Sequence, residues 1–204
     1  MASLGYRVTL LDISEGMLRV ARAKIGDHRL GRLITVRRGD MEKMDFPSKS
    51  FDHILGEGDA FGITPDPERA LCGFAMVLRT NGTVSLNIIN HYKMLPLAAR
   101  RKKSFEDVMT YFSTPAFGRE RDQVAMFRTW KPEQVLELIK ESGLRVEMVA
   151  PRIVVADLLS EEIMATVKHN TKALGKLRNL GARLSEQPIL AALGEHVLIL
   201  AWKT

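Results

Sequence analysis

The chain has 204 residues, of which 46% are hydrophobic and 26% are charged, and it carries a formal net charge of +6. This length suits one domain with a proper core, and the single cysteine, Cys72, excludes an internal disulfide framework and a cysteine-rich metal site. No apolar run is long enough to cross a membrane, and the first residues lack the apolar core of a signal peptide. These features predict a cytoplasmic protein that binds neither a metal nor a membrane.

The positive charge is spread along the chain, and its densest cluster is Arg100-Arg101-Lys102-Lys103. A surface that binds single-stranded nucleic acid would interleave aromatic side chains with such a cluster, and none accompany this one. The pattern therefore favours a solvated loop or helix end over a nucleic-acid surface.

Strand and helix patterns alternate through the first half of the chain. The predicted strands are Arg7–Asp12, Leu33–Arg37, Phe51–Leu55 and Val84–Ile89, and the predicted helices between them are Glu15–Ile25 and Pro67–Leu78. A turn at Asn81-Gly82 separates the second helix from the fourth strand. This alternation is typical of βαβ units and predicts a mostly parallel sheet.

The second half follows a different pattern. Residues 91–127 show no clean strand and indicate an inserted, partly helical segment. The predicted elements after it are a helix in KPEQVLELIKESG, which starts at Pro132 behind the poor cap Lys131, a strand at Arg145–Val149, one or two basic helices over residues 156–193, and a last strand at His196–Trp202.

Three features follow successive predicted strands, where open α/β sheets bind their ligands. Asp12 ends the first strand, and its carboxylate could accept hydrogen bonds from a ribose diol or simply start the next helix. Asp40 follows the second strand and could accept from an adenine amino group or be a solvated turn acid. The third feature is the glycine-rich stretch GEGDAFG at residues 56–62, which is not a P-loop because no Gly-Lys-Ser/Thr follows it.

Taken together, GYRVTLLDISEGML, GDMEKMDFPSKSFDHIL and VLRTNGTVSLNI stand in an order and spacing that resemble class I S-adenosylmethionine-dependent methyltransferases of the small-molecule type. A later stretch, FRTWKPEQVLELIKESGLRVEMV, resembles the late helix and strand of that family. The resemblance implies a Rossmann-like α/β sheet, mostly parallel, with an antiparallel last strand. It also implies that residues 1–90 form the cofactor-binding half, and that residues 91–204 complete the same domain with helical substrate or lid insertions at 91–127 and 156–193.

The resemblance further implies S-adenosylmethionine as the cofactor and a role for each matching residue. Asp12 would hold the ribose hydroxyls while Ile13 flanks the adenine, and Asp40 would bind the adenine amino group. The full set of cofactor-binding candidates is Asp12, Ile13, Gly39, Asp40, Met41, Gly56 and Glu57, of which Gly56 and Glu57 would lie under the cofactor.

A general base is needed only for an acceptor that is protonated at working pH. The candidates are Glu57, Asp59 and His91, and Asp59 and His91 are the predicted catalytic residues; the other histidines are interpreted as structural. The family's Asn/Asp-Pro-Pro-Tyr signature for methylating the amines of nucleic-acid bases is absent, which favours a small-molecule acceptor. No residue distinguishes an oxygen, nitrogen or carbon nucleophile.

The main departure from the family lies at the start, because the family's first strand and its glycine-rich loop have no counterpart before MASLGY. Three explanations are open: a truncated chain, a strand supplied by another chain or by rearrangement, and a degenerate relative. Without a central strand, its two neighbours would have unpaired backbone groups. Because the remaining motifs are intact, we favour truncation and expect this chain alone to bind S-adenosylmethionine poorly.

Two alternatives come from other classes of protein. The first is a non-catalytic methyltransferase-like module that binds a partner or forms a homodimer through its exposed sheet edge. The second is a nicotinamide-dependent oxidoreductase, which also has an acid after its second strand. The oxidoreductase explains neither Asp40 with the FPSKSFD turn nor the antiparallel pattern of the last strand.

Overall fold

A computed structural model describes residues 1–94, 104–106, 109–110, 117–118, 127–152, 155, 159–187, 190 and 193–204. The strands are β1 (Val8–Asp12), β2 (Ile34–Arg38), β3 (Phe51–Gly56), β4 (Leu78–Ile89), β5 (Phe117–Gly118), β6 (Phe127–Arg128), β7 (Leu144–Arg152) and β8 (His196–Lys203). The α-helices are α1 (Glu15–Asp27), α2 (Pro67–Val77), α3 (Pro132–Glu141), α4 (Glu161–Lys168) and α5 (Thr171–Ser185).

The strands form two main sheets. β1 and β2 form a two-stranded parallel sheet, and the second sheet has the order β3-β4-β8-β7. β3 and β4 are parallel, whereas β8 runs antiparallel to both of its neighbours. The prediction of parallel strands with an antiparallel last strand is thus confirmed, and within the described ranges no ladder joins β1 to β3.

β4 begins earlier than predicted. It starts at Leu78 rather than at Val84, so the predicted Asn81-Gly82 turn lies inside the strand. The pairing with β3 jumps from Phe51↔Leu78 to His53↔Thr83, and Asn81 has a φ of 62°. The positive φ that favours Asn therefore serves a bulge within one strand instead of a separating loop.

The main hydrophobic core lies between the four-stranded sheet and helices α2 and α3. Its fully buried members are Ala70, Leu71, Leu78, Val84, Leu86, Ile88, Val135, Ile139, Val197, Ile199 and Ala201. In α3, Val135 and Ile139 are four residues apart and so share one face. In β8 the buried residues alternate, as expected for a strand with two different faces.

Two helices, α4 and α5, lie in the region where one or two basic helices are predicted; α5 is basic, whereas α4 has two glutamates and one lysine. Each begins behind a side chain that caps it: Ser160 accepts from the Ile163 N–H and Asn170 accepts from the Ala173 N–H. Neither helix has a buried residue. The Arg100–Lys103 cluster and most of the predicted 91–127 insertion lie outside the described residues. None of the helices described is long and apolar enough to span a bilayer.

Candidate functional site

Asp12 and Asp40 lie at the same edge of the small sheet. β1 and β2 run side by side to the pair Asp12↔Arg38, and the Gly39 N–H then donates to the Asp12 carbonyl at 3.1 Å. Each carboxylate is oriented by its own loop, since Asp12 Oδ1 accepts from the Ser14 N–H at 2.8 Å and Asp40 Oδ1 accepts from the Glu42 N–H at 2.9 Å. Neither Oδ2 atom has a hydrogen bond to any described residue, so both remain available to a ligand.

Glu42 connects the Asp40 loop to the larger sheet. Its Oε1 atom accepts from the Thr64 hydroxyl and from the Asp66 N–H, the latter at 3.1 Å. Thr64 is buried, and both of these residues follow β3 in the chain. The loops after β2 and β3 therefore meet, which places the carboxyl ends of the two strands on one side of the molecule.

Two glycines in this region lie where a side chain would collide with its surroundings. A Cβ atom on Gly39 would come within 2.6 Å of Leu11 Cδ1, and one on Gly56 within 2.8 Å of Leu86 Cδ2. The backbone at both strand ends is thus packed directly on apolar side chains. Ile13 is 64% exposed beside Asp12, and Met41 packs against the core.

A second set of polar side chains lies around Asp59. Its Oδ1 accepts from the Asn87 amide at 3.3 Å, and its Oδ2 lies 3.0 Å from His196 Nε2. The three side chains come from the loop after β3, from β4 and from the start of β8. Because His196 pairs with Ile89 at the end of β4, the group lies at the carboxyl end of the parallel strands.

Asp59 and His196 are both largely shielded from solvent, with side-chain exposures of 19% and 16%. Asp59 sits at a left-handed backbone position with a φ of 60°, next to Gly58 at 73°. This turn directs the chain into the short helical stretch Ala60–Ile63. Among the described residues, the buried Oδ1 of Asn87 has no hydrogen-bond partner and remains available as an acceptor.

His91, the other predicted catalytic residue, is completely buried. Its Nδ1 lies 2.9 Å from the Thr129 hydroxyl, and its backbone N–H donates to the Trp130 carbonyl at 2.9 Å. A group that takes a proton from an acceptor has to touch it. This burial favours a structural role for His91 and leaves Asp59 as the stronger candidate.

The remaining titratable groups near this edge have local partners. Glu57 lies 3.5 Å from Arg152 at the end of β7. Tyr92 donates to Glu133, and this contact raises the pKa of Tyr92 to about 12. Tyr92 therefore stays protonated at neutral pH and does not qualify as a base.

Three residues of this site were not found from the sequence. Glu42 and Asn87 lie within the stretches that carry the family resemblance, but the resemblance assigns neither of them a role. His196 is interpreted as structural because nothing near it in the sequence could partner it. Asp59 and His196 are 137 residues apart. Only the pairing of β8 with β4 brings them together.

Comparison with known proteins finds similarity to methyltransferases. Residues 1–86 match the model of a methyltransferase domain. A phosphatidylethanolamine N-methyltransferase from Cereibacter sphaeroides is 34% identical over 116 residues, which are 55% of this chain and 56% of that protein. A ubiquinone/menaquinone biosynthesis C-methyltransferase from Methylobacterium nodulans is 42% identical over 77 residues, which are 37% of this chain and 29% of that protein. The matches thus span about half of the first relative and under a third of the second.

Solved structures show the same fold. An S-adenosylmethionine-dependent methyltransferase from Methanosarcina mazei superposes with a TM-score of 0.64 at 15% identity, covering 99% of this chain and 84% of that one. The [4+2]-cyclase SpnF superposes with a TM-score of 0.58 at 15% identity, covering 97% of this chain and 67% of that one. The matched residues thus resemble methyltransferase domains, and the chain has the fold of S-adenosylmethionine-dependent methyltransferases.

Proposed function

We propose that the chain transfers a methyl group from S-adenosylmethionine to a small-molecule acceptor at the carboxyl edge of its strands. The observation that supports this most directly is the pair of carboxylates Asp12 and Asp40, each fixed through Oδ1 and available through Oδ2. The fold alone would not support this function, because proteins with one fold can catalyse different reactions.

The residues at this edge fit the nucleoside half of the cofactor. Asp12 Oδ2 would accept from ribose hydroxyls and Asp40 Oδ2 from the adenine amino group, while Ile13 and Met41 supply apolar surface for the ring. Gly39 and Gly56 keep the backbone free of side chains, and Glu57 has a carboxylate at the end of β3. When bound, S-adenosylmethionine supplies an already activated methyl group.

The chain's own residues then have to align the acceptor, exclude water and receive a proton. We assign the last task to Asp59. Asn87 and His196 fix its carboxylate from two sides, and its partial burial limits competition from water. Methylation would break the bond between the methyl group and the cofactor sulfur, so that S-adenosylhomocysteine leaves, and the Asp59 carboxylate would accept the proton that the acceptor atom loses.

The two named relatives guide the choice of test acceptors. One is named for N-methylation of phosphatidylethanolamine and the other for C-methylation in quinone biosynthesis. Transfer of a radiolabelled methyl group should therefore be measured with phosphatidylethanolamine in detergent micelles and with a water-soluble hydroquinone. Transfer to nucleic acid and to neither small molecule would contradict the proposal.

Binding of the cofactor can be tested without knowing the acceptor. In an NMR titration with S-adenosylhomocysteine, we expect the amide signals of Asp12, Ile13, Gly39 and Asp40 to shift. Asp12→Asn should weaken binding about tenfold or more, since it removes a charged acceptor. Asp45→Asn is the matched control, because the Asp45 side chain is 95% exposed and pairs only with Arg37 among described residues. Equal affinity of the two variants would refute the assigned role of Asp12.

A further inference from the structure

Helix α5 carries cations that pair with no carboxylate in the described part of the chain. It has no acidic residue, and its charged side chains are those of Lys172, Lys176, Arg178 and Arg183. None of these four takes part in an ion pair with a described residue. The whole stretch between Glu162 and Glu186 contains five lysines and arginines and no acid. The helix therefore concentrates positive charge that its described surroundings do not neutralise.

Three of these cations share the exposed side of the helix. Lys172 and Lys176 are four residues apart, and Arg183 follows Lys176 by seven, so all three lie on one face. Leu180 lies at the margin of that face and is 45% exposed. Leu177 is less exposed and belongs to the side on which α5 packs against β7 and α4. The exposed face of α5 thus combines three cations with one leucine.

The internal stability of the helix does not explain this face. Lys172 lies in the first turn, where a positive charge opposes the helix dipole. No acidic residue stands three or four positions from Lys176 to pair with it along the helix. A helix with lysine and arginine on its polar side and leucine beside them is typical of helices that lie in the interface of a lipid bilayer. The composition of α5 therefore favours an anionic partner outside the protein.

The last turn of α5 is attached to the carboxyl edge of the larger sheet. The Ser185 hydroxyl donates to the Pro151 carbonyl at 2.9 Å, and Arg152 then ends β7. Since β8 is antiparallel to both β4 and β7, β7 runs in the same direction as β4. The Arg152 side chain lies 3.5 Å from Glu57 at the end of β3. The exposed face of α5 therefore lies beside the candidate site.

We propose that this face binds an anionic lipid surface, with Lys172, Lys176 and Arg183 at the lipid phosphates and Leu180 at the boundary of the acyl chains. Leu180 favours lipid over nucleic acid, because an apolar side chain gains from a bilayer interface and not from a phosphate backbone. The expectation of no membrane contact rested on the lack of a spanning run, which a helix lying on a surface does not need. The proposal goes beyond the proposed function, and lipid binding does not depend on methyl transfer.

The test measures co-sedimentation of the chain, without cofactor, with vesicles of phosphatidylglycerol and phosphatidylcholine in equal parts. Vesicles of phosphatidylcholine alone test the need for negative charge. The test variant uses glutamine, which has a helix propensity similar to that of lysine, and combines Lys172→Gln, Lys176→Gln and Arg183→Gln. The matched control removes the same charge from exposed positions on three other helices and combines Lys24→Gln, Arg69→Gln and Lys140→Gln. Circular dichroism verifies the helix content of each variant.

We expect the wild type and the control to bind the mixed vesicles but not those of phosphatidylcholine alone, and we expect this binding to weaken as salt is added. The test variant should bind about 100-fold more weakly at low salt, and Lys176→Gln alone about fivefold more weakly. Leu180→Asn should also weaken binding, but without changing its salt dependence, because it removes apolar contact and no charge.

Three results would overturn the proposal. The first is that the wild type does not bind the mixed vesicles at low salt. The second is an equal loss of binding in the test variant and the control, because the attraction would then depend on net charge alone. The third is tighter binding to duplex DNA than to the mixed vesicles, lost in the same test variant, which would assign the face to nucleic acid.

Discussion

At the scale of single residues, the site depends on short-range and long-range contacts in different ways. Asp12 and Asp40 could be predicted because their positions follow from where a strand ends, and each is oriented by an N–H two residues away. The pairing of Asp59 with His196 could not be predicted, since it depends on the register of β8 against β4. Local signals thus identify which carboxylates are available, and tertiary structure decides their partners.

Replacing Asp59 tests its proposed role in proton transfer. Asp59→Asn keeps the size and the hydrogen-bonding shape but removes the proton acceptor, so kcat should fall by about 10²–10⁴-fold with little change in KM for the cofactor. His196→Gln should lower kcat less, because His196 acts by positioning Asp59. His169→Gln, outside this group, is the control. If Asp59→Asn leaves kcat unchanged for an acceptor that must lose a proton, Asp59 is not the group that receives this proton.

His53 gives the stability of the fold a predictable pH dependence. Burial lowers the pKa of His53 below its usual 6.5, although the negative charge of Glu57 partly opposes this effect. The unfolded chain therefore binds the proton more readily, and the free energy of unfolding should decrease as the pH falls from about 6.5 towards the lowered value.

Denaturant titrations across this pH range should show that the free energy of unfolding depends less on pH in His53→Gln than in the wild type. His28→Gln, in an exposed turn, is the control and should leave the slope unchanged. In addition, Glu57→Gln should lower the pKa of His53 further in an NMR titration. A rise in that pKa would contradict the assigned electrostatics.

At the scale of elements, periodicity and end signals located most helices and strands to within about two residues. α3 is an example: Pro132 starts it, Gly143 with a φ of 81° follows its end, and Val135 and Ile139 form its buried face. The predicted start of β4 is wrong because Asn-Gly usually ends an element, whereas here β3 pairs with the chain on both sides of the bulge. Tertiary pairing outweighed the local turn preference.

The amino end of α3 offers a direct test of capping. Lys131 has the extended backbone of an N-cap residue (ψ of 123°) but makes no side-chain cap bond. Lys131→Asp should supply an acceptor and a favourable charge, and raise the free energy of unfolding by about 1 kcal/mol. Lys140→Asp makes the same charge change in the last turn and should destabilise the fold instead. Similar effects of both variants in urea denaturation would indicate a net-charge effect.

At the scale of the whole molecule, the β1-β2 sheet and the β3-β4-β8-β7 sheet are separate, and a cavity of about 910 Å³ is lined by residues of both. On the two sides of this cavity, β1 ends at Asp12 and β3 ends at Gly56. The sequence indicated a gap at this place through the resemblance to a family, but it could not show that the two halves stay apart around a cavity. That outcome depends on how the flanking strands pack.

This division predicts weak binding of the cofactor. Asp12 and Asp40 follow strands of the small two-stranded sheet, which has no ladder to the larger sheet among the described residues. We therefore expect residues 1–204 to bind S-adenosylhomocysteine with a dissociation constant above about 100 μM. Isothermal titration calorimetry measures this constant, and tight stoichiometric binding would refute the prediction.

The division also bears on how the protein unfolds. The main core cluster contains no residue before Met41, so β1, α1 and β2 form a small unit whose own interior is little more than Leu18, the one buried residue of α1. Such a unit should open at a lower free energy than the four-stranded sheet, as a separate cooperative step. Native-state hydrogen exchange in low denaturant measures this opening. We expect the amides of the unit, including that of Leu10, to share one opening free energy below that of global unfolding. The same opening free energy for amides in both sheets would exclude a separate step. Since Asp12 and Asp40 belong to this unit, warming should abolish nucleoside binding before most of the secondary structure melts.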